Sequence, residues 1–278
     1  MSELGDIQTL VVLMFENRSF DNVLGHLSHP RFGRRHDIDG LGDPSKTIEY
    51  DNYCDNEVFR PCPTRDGPLD FDLPHDRESI AQQMDLQNGV PTMGGFVEAY
   101  RAKAPDRRVC SAPMSFLRPQ DVPSTGFIAE HFAVCDRWFS PIASGTQPNR
   151  AMAFTGSSRI DDNLDLPVLK AIPHRPKELV FRWLSERRVP WRAYHSGLSF
   201  FSLFGNVLDL VLGPGFRNVR SLHSDMLKAP DADDPRVIFI EPEYGDSPVH
   251  LATPNDNHPP LVDGGSDATR SGGLHRQG

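Results

Sequence analysis

The first segment with residues suited to chemistry is Glu16-Asn-Arg-Ser19, which directly follows the apolar run Leu10–Phe15. The carboxylate of Glu16 and the carboxamide of Asn17 offer hard oxygen ligands, which divalent cations prefer. The alternative interpretation is a strand that ends in an ordinary polar turn. This segment alone favours neither interpretation.

The second such segment is Thr146-Gln-Pro-Asn-Arg150. The preceding Ser144-Gly145 pair, together with Thr146, is typical of a turn that caps a helix. Pro148 is tolerated in a first helical turn because its missing N–H would have no partner there. A hydroxyl at a helix N-terminus lies beside unpaired N–H groups, which favours a phosphate, and Arg150 could add a forked donor. The alternative is an ordinary threonine cap beside a surface arginine.

The elements that would position these residues alternate between strand and helix. Leu10–Phe15 lacks helical periodicity and predicts a strand buried on both faces, as in parallel sheets, where ligands bind beyond the carboxyl ends of strands. A second apolar run, Val237–Ile240, ends at Glu241, which we interpret as a structural or substrate-facing carboxylate.

The rest of the chain is predicted to contain one long loop, several helices and a further strand. His29–Leu73 lacks periodicity and predicts a long loop. Helices are predicted at 77–86, 94–102, 129–138, 178–188, 203–212 and 221–227, with a further strand at 189–194. The alternation indicates an α/β protein.

Together the two polar segments resemble a known family. Glu16-Asn-Arg-Ser-Phe-Asp21, paired with Thr146-Gln-Pro-Asn-Arg150, is similar to the phosphoesterase family of bacterial phospholipases C and related acid phosphatases. Weaker matches follow in the family's order between residues 7 and 263. They are Pro74-His75, Asn88-Gly89 with Gly95-Phe-Val97, the Trp191–Tyr194 strand, Ile240-Glu-Pro-Glu-Tyr244 and Asp256-Asn-His-Pro-Pro260.

The resemblance implies a three-layer α/β/α fold with a mostly parallel central sheet, related to the alkaline phosphatases. It implies a phosphoric ester hydrolase of phospholipase C type that uses a divalent metal ion, whose identity stays open. By position, Glu16 and Asn17 match metal ligands of the family. Thr146 matches both a metal ligand and the nucleophile, which would form a phospho-enzyme intermediate. A threonine hydroxyl is a poor nucleophile at neutral pH, and metal coordination would favour its alkoxide.

The resemblance also assigns residues that handle the substrate, expected to be a phospholipid or a small phosphate ester. His75 and His258 match histidines that line the family's phosphate site. His258 could protonate the leaving oxygen or hydrogen-bond a phosphoryl oxygen, because imidazole titrates near neutral pH. Asn149 and Arg150 are assigned to substrate binding.

The C-terminal region departs from the family's pattern. The family's later acidic motif, of the type Asp-Glu-His-Gly-Gly-Phe-Tyr-Asp-His, does not occur in the sequence, and residues 264–278 are dominated by Gly, Ser and Arg. We therefore expect a phosphoesterase domain over 1–263 that lacks its C-terminal part, followed by a disordered tail over 264–278. The alternative to an active hydrolase is a catalytically silent truncated fragment that retains at most a partial phosphate or metal pocket.

Charge and composition argue against several other classes of protein. A net charge of −9 with scattered basic residues argues against nucleic-acid binding. No apolar stretch is long enough to cross a membrane. The N-terminus lacks the features of a secretory signal, which predicts a cytoplasmic location, although export stays open because relatives are often secreted. Cys54 and Cys62 lie in one predicted loop and would form a disulfide only in an oxidising compartment.

Overall fold

The computed structural model describes residues 6–15, 18–33, 35–42, 50–63, 73–103, 112–163, 171–196, 199–205, 207–228, 231 and 234–241. The strands in these ranges are β1 Leu10–Leu13, β2 Asn52–Cys54, β3 Glu57–Phe59, β4 Cys62–Pro63, β5 Leu86–Gln87, β6 Val90–Pro91, β7 Ser115–Phe116, β8 Trp191–His195, β9 Phe216–Asn218 and β10 Val237–Ile240. The α-helices are α1 Phe20–Val23, α2 Arg77–Met84, α3 Phe96–Lys103, α4 Pro123–His131, α5 Thr146–Thr155, α6 Val180–Glu186, α7 Leu208–Val211 and α8 Leu222–Met226. They belong to two compact units, the first with residues 6–15 and 146–241 and the second with residues 18–145.

The first unit contains a four-stranded sheet in the order β1-β10-β8-β9, and every neighbouring pair is parallel. In register, Val12 lies beside Phe239, which lies beside Ala193, which lies beside Phe216. The carboxyl ends of the four strands therefore meet at one edge of the sheet. The mixed α/β class with a mostly parallel sheet, predicted from the sequence, is confirmed.

Helices cover both faces of this sheet and make three layers. On one face α5 and α6 bury Phe154 and Phe181, whose rings both contact Phe239 of β10 at centroid distances of 5.9 and 5.0 Å. On the other face α8 is attached through Asp225, which accepts a hydrogen bond from the Tyr194 hydroxyl at 3.0 Å. The main hydrophobic core lies on the α5–α6 face, where several phenylalanine rings meet edge to face.

Strand β1 differs from its prediction in burial. Its direction and pairing agree with a parallel sheet, but the relative exposures of Leu10, Val11 and Leu13 are 56%, 52% and 54%. Burial on both faces was therefore the wrong prediction. The reason is position, because β1 has only β10 as a neighbour in the described sheet and forms its edge.

The second unit is built from short hairpins and helices. Its β5–β6 hairpin turns through Asn88 and Gly89, whose φ values of 55° and 80° suit the type I′ turn that this residue pair favours. The buried Asn52 side chain accepts hydrogen bonds from the N–H groups of Phe96 and Val97 at the start of α3. Asn52 belongs to the β2–β3 hairpin, so the predicted long loop at 29–73 contains strands in its described part.

Most predicted helices are present but shorter than their patterns suggested. The helix predicted at 129–138 is the largest discrepancy, because α4 ends at His131. Phe132 is extended there, with φ −126° and ψ −176°, which ends the helix. Cys54 and Cys62 carry free thiols. Within the described ranges no helix combines the length and apolar character that crossing a bilayer requires. The predicted tail at 264–278 lies outside the described residues.

Candidate active site

Thr146 is the first residue of α5, as the cap pattern predicted. Thr146 is half-buried, and the two residues that follow it, Gln147 and Pro148, are buried. The N–H of Gln147 donates to the Asn163 side-chain oxygen at 2.9 Å, so this N–H of the first turn already has a partner. The Thr146 hydroxyl therefore lies at a helix N-terminus that is anchored by a side chain from outside the helix.

Three of the predicted site residues lie on one face of this helix. Asn149 and Arg150 follow Thr146 by three and four positions, which places them on the same side one turn further along. Asn149 is half-buried, like Thr146. The helix thus brings together a hydroxyl, a carboxamide and a guanidinium at its N-terminal end.

Arg150 is buried rather than lying on the surface. Its relative exposure is 2%, and its guanidinium lies over the Phe200 ring, 5.3 Å from the ring centroid. A cation–π contact of this kind contributes more when water is excluded. A phosphate that reaches Arg150 must lose much of its water, which would strengthen the ion pair. The alternative of a surface arginine is therefore wrong.

A buried carboxylate lies at the carboxyl end of β10. Glu241 has a relative exposure of 4%, and its N–H donates to the Tyr194 carbonyl at 2.9 Å, continuing the sheet ladder by one residue. Its Oε2 accepts a hydrogen bond of 2.7 Å from the hydroxyl of buried Ser199. This contact agrees with the structural interpretation of Glu241 made from the sequence.

His75 belongs to the second unit, where it directly precedes Asp76, the N-cap residue of α2. Its Nδ1 lies 2.8 Å from the Leu73 carbonyl. Because a carbonyl only accepts hydrogen bonds, Nδ1 is the donor in this contact.

The remaining predicted site residues, Glu16, Asn17 and His258, lie outside the described residues. Their roles stay predictions from the sequence. In the part of the chain that the structure describes, no group of three or more His, Cys, Asp or Glu side chains is arranged to hold a metal ion.

Comparison with known proteins identifies the family. The sequence model of the phosphoesterase family matches residues 7–266. This chain belongs to the phosphoesterase family. It is 29% identical over 269 residues to non-specific phospholipase C1 of Arabidopsis thaliana and 30% identical over 261 residues to non-specific phospholipase C6 of the same plant. It is also 24% identical over 261 residues to phospholipase C B of Mycobacterium tuberculosis strain H37Rv.

The matches cover most of this phosphoesterase but only part of its relatives. They include 92%, 91% and 87% of this chain, in the order given, and 46% of each relative. The chain therefore spans about half the length of these curated relatives. The family predicted from the two polar segments is confirmed.

Sequence reasoning did not identify one buried residue of this phosphoesterase, Ser199. It lies 42 positions before its partner Glu241, and it follows residues 197–198, which are outside the described residues. A lone serine between a predicted strand and a predicted helix carries no spacing signal. Only the packing of the segment after β8 against the end of β10 shows its role.

Proposed function

We propose that this chain is a metal-assisted phosphoric ester hydrolase of phospholipase C type. The observation that carries the proposal is the N-terminal turn of α5, where Thr146 and Arg150 share one helix face and Arg150 is buried. Membership of the phosphoesterase family supports the same reaction class.

In the proposed reaction Thr146 acts as the nucleophile. The Thr146 hydroxyl loses its proton to solvent, its Oγ attacks phosphorus, the bond from phosphorus to the leaving alcohol breaks, and the alcohol oxygen takes a proton from His258. Water then gives a proton to His258 and attacks the phosphothreonine. The bond from phosphorus to Oγ breaks, Oγ regains a proton from solvent, and the phosphoryl group leaves as phosphate or as a phosphorylated alcohol. Asn149 and Arg150 bind the phosphoryl oxygens, where charge develops. His75 is assigned to the same phosphate site on the motif match alone.

The residues proposed to hold a divalent cation all offer oxygen ligands. The Glu16 carboxylate, the Asn17 carboxamide and the Thr146 hydroxyl would give it an all-oxygen donor set, which suits hard cations such as Ca²⁺, Mg²⁺ or Mn²⁺ and is also compatible with Zn²⁺. When bound, the cation would supply a lowered pKa for the Thr146 hydroxyl and neutralise phosphoryl charge.

We infer that the substrate is a phospholipid or a small phosphate ester. The relatives named above are phospholipases C, and the proposed substrate class is taken from them.

The proposed function is tested by replacing Thr146. The wild-type chain, supplied in turn with each of the four cations, should release the chromophore from an aryl phosphate monoester or diester. Thr146→Ala should lower kcat by at least about a thousandfold, because a group essential to the chemical step is lost. Thr146→Ser should retain measurable turnover because it keeps the hydroxyl.

The matched control is Thr155→Ala at the other end of the same helix. The Thr155 hydroxyl contacts backbone at the C-terminal end of α5, 2.8 Å from the Ala151 carbonyl and 2.7 Å from the Ser157 carbonyl. Loss of the Thr155 hydroxyl should change kcat by less than about twofold, because substitutions away from the site usually have small effects on the folded protein. Equal turnover by the wild type and Thr146→Ala, with both folded, would exclude the proposed nucleophile.

A further inference from the structure

The contacts behind Arg150 form a continuous series within the first unit. Its guanidinium lies over the Phe200 ring, Phe200 follows Ser199, and the Ser199 hydroxyl donates to Glu241 at the end of β10. Arg150, Ser199, Phe200 and Glu241 are all buried, with relative exposures of 2%, 2%, 4% and 4%. We call the Ser199–Glu241 hydrogen bond the serine–glutamate link.

The direction of the serine–glutamate link is fixed by a second contact. The Ser199 oxygen accepts a hydrogen bond of 3.2 Å from the N–H of Phe201, which caps the 3-10 helix Phe200–Leu203. A hydroxyl has a single proton, so that proton is available for Glu241. The 2.7 Å distance is typical of a short bond from a hydroxyl to a carboxylate. Glu241 therefore holds the start of the 3-10 helix against the carboxyl edge of the sheet.

The burial of Glu241 indicates that this carboxylate does more than fill space. A buried carboxylate loses its hydration, and an apolar side chain would fill the end of β10 without that cost. The carboxylate lies in the same buried part of the unit as the 3-10 helix whose Phe200 supports a buried guanidinium. The same short helix thus contacts a carboxylate through Ser199 and a guanidinium through Phe200.

We propose that Glu241 is a positioning residue for Arg150. Through Ser199 it fixes the 3-10 helix, and Phe200 of that helix holds the Arg150 guanidinium on the Thr146 face of α5. Glu241 thus acts on phosphate binding without contacting the phosphate. This inference rests on the proposed function of Arg150 in binding the phosphoryl group.

The test separates phosphate binding from turnover. Ser199→Ala and Glu241→Ala each remove the link. Each should raise the KM for the ester and the Kd for inorganic phosphate by about tenfold, the effect expected when one charge-assisted hydrogen bond from Arg150 to the phosphate is lost. The value of kcat should change by less than about threefold, because Thr146 is retained. Glu241→Gln should recover most of the binding, since its amide oxygen accepts the same hydrogen bond.

The matched control is Ser202→Ala in the same 3-10 helix. The Ser202 hydroxyl donates to the Ser199 carbonyl at 2.7 Å, so the variant loses a hydrogen bond of similar length without altering the serine–glutamate link. Its Kd for phosphate should equal that of the wild type. The inference is overturned if Ser202→Ala weakens phosphate binding as much as Ser199→Ala, or if Glu241→Gln weakens it as much as Glu241→Ala.

The same measurements distinguish this inference from the proposed function. Isothermal titration with inorganic phosphate requires no turnover. A wild-type chain that binds phosphate and hydrolyses no ester contradicts the proposed function, and a tenfold weaker Kd in Ser199→Ala then still supports the positioning role. A wild-type chain that hydrolyses the ester, with a Ser199→Ala variant that binds phosphate equally well, contradicts the positioning role alone.

Discussion

Asp21 shows how strongly the fold can change a single carboxyl group. Burial and, to a smaller extent, the negative charge of Asp39 together raise its pKa from 3.8 to about 6. Asp21 lies in the first turn of α1, where a helix dipole would favour the ionised form. With only four residues in α1, that effect is weaker than the loss of hydration.

The pKa of Asp21 predicts a pH-dependent stability. Because the folded pKa lies above the unfolded value, folding favours the protonated group, and this contribution is lost as pH rises from about 4 through 6. The loss is about 3 kcal/mol at most, from roughly two pKa units. Asp21→Asn should therefore gain stability relative to the wild type as pH increases from 4 to 7. Urea unfolding of both proteins across this range measures the difference.

Asp37 provides the matched control for this prediction. The Arg35 guanidinium bonds to Asp37 and holds the pKa of that carboxyl at about 2. Its stabilising contribution is complete above the unfolded pKa and is lost only as pH falls towards 2. Asp37→Asn should leave the dependence of stability on pH between 5 and 7 unchanged. A wild-type slope that Asp21→Asn leaves unaltered would contradict the role of Asp21.

At the scale of elements, two strands with similar sequences differ in side-chain exposure because they occupy different positions in the sheet. β1 and β10 are both short apolar runs, and Val11 lies directly beside Ile238 in register. Yet Val11 is 52% exposed, whereas Ile238 is 3% exposed. The difference comes from neighbours, since β10 lies between β1 and β8. An exposed apolar edge strand of this kind can pair with a strand of another molecule.

Truncating each of these cross-strand partners should have unequal effects. Ile238→Ala should lower the free energy of unfolding by about 2–5 kcal/mol, because it leaves a cavity in a packed face. Val11→Ala should lower it by less than about 1 kcal/mol, because its side chain already contacts water. Chemical denaturation of the two variants gives both values. Equal losses would show that β1 is covered in solution.

Helix α5 illustrates how an element supplies the site with its geometry. Thr146, Asn149 and Arg150 share a face because a helix repeats every 3.6 residues. The depth of Arg150 comes instead from the 3-10 helix packed against it, with Phe200 beneath the guanidinium. Local periodicity and packing thus contribute separate parts of the same site.

At the scale of the whole molecule, the chain combines two compact units and spans about half the length of its named relatives. Its net charge of −9 favours binding of cations over polyanions. In the proposed function, metal binding is the property that separates an active hydrolase from a catalytically silent member of the family. It can be measured without any substrate.

Addition of the preferred cation should raise the melting temperature of the whole chain. A ligand at a hundred times its Kd stabilises a folded protein by about 2.7 kcal/mol. The double variant Glu16→Ala and Asn17→Ala should lose most of this shift, because it removes two of the three proposed ligands. Thermal melts with each of the four cations, and with EDTA, provide the comparison. An undiminished shift in the double variant would place the cation elsewhere.

The amino-acid sequence by itself determined those features that depend on local spacing. It predicted the Val237–Ile240 strand and the start of a helix at Thr146. The motif pairing also led to the correct family. These features depend on residue types and on the periodicity of helices and strands, which are properties of short stretches of sequence.

Only the tertiary structure decided burial and the contacts between distant residues. It exposed β1 at the edge of the sheet, buried Arg150 against Phe200, and joined Ser199 to Glu241 across 42 positions. The physical reason is that burial depends on which elements become neighbours. An apolar run has the same pattern at the edge of a sheet as at its centre, and a serine shows its partner only after two elements have packed together.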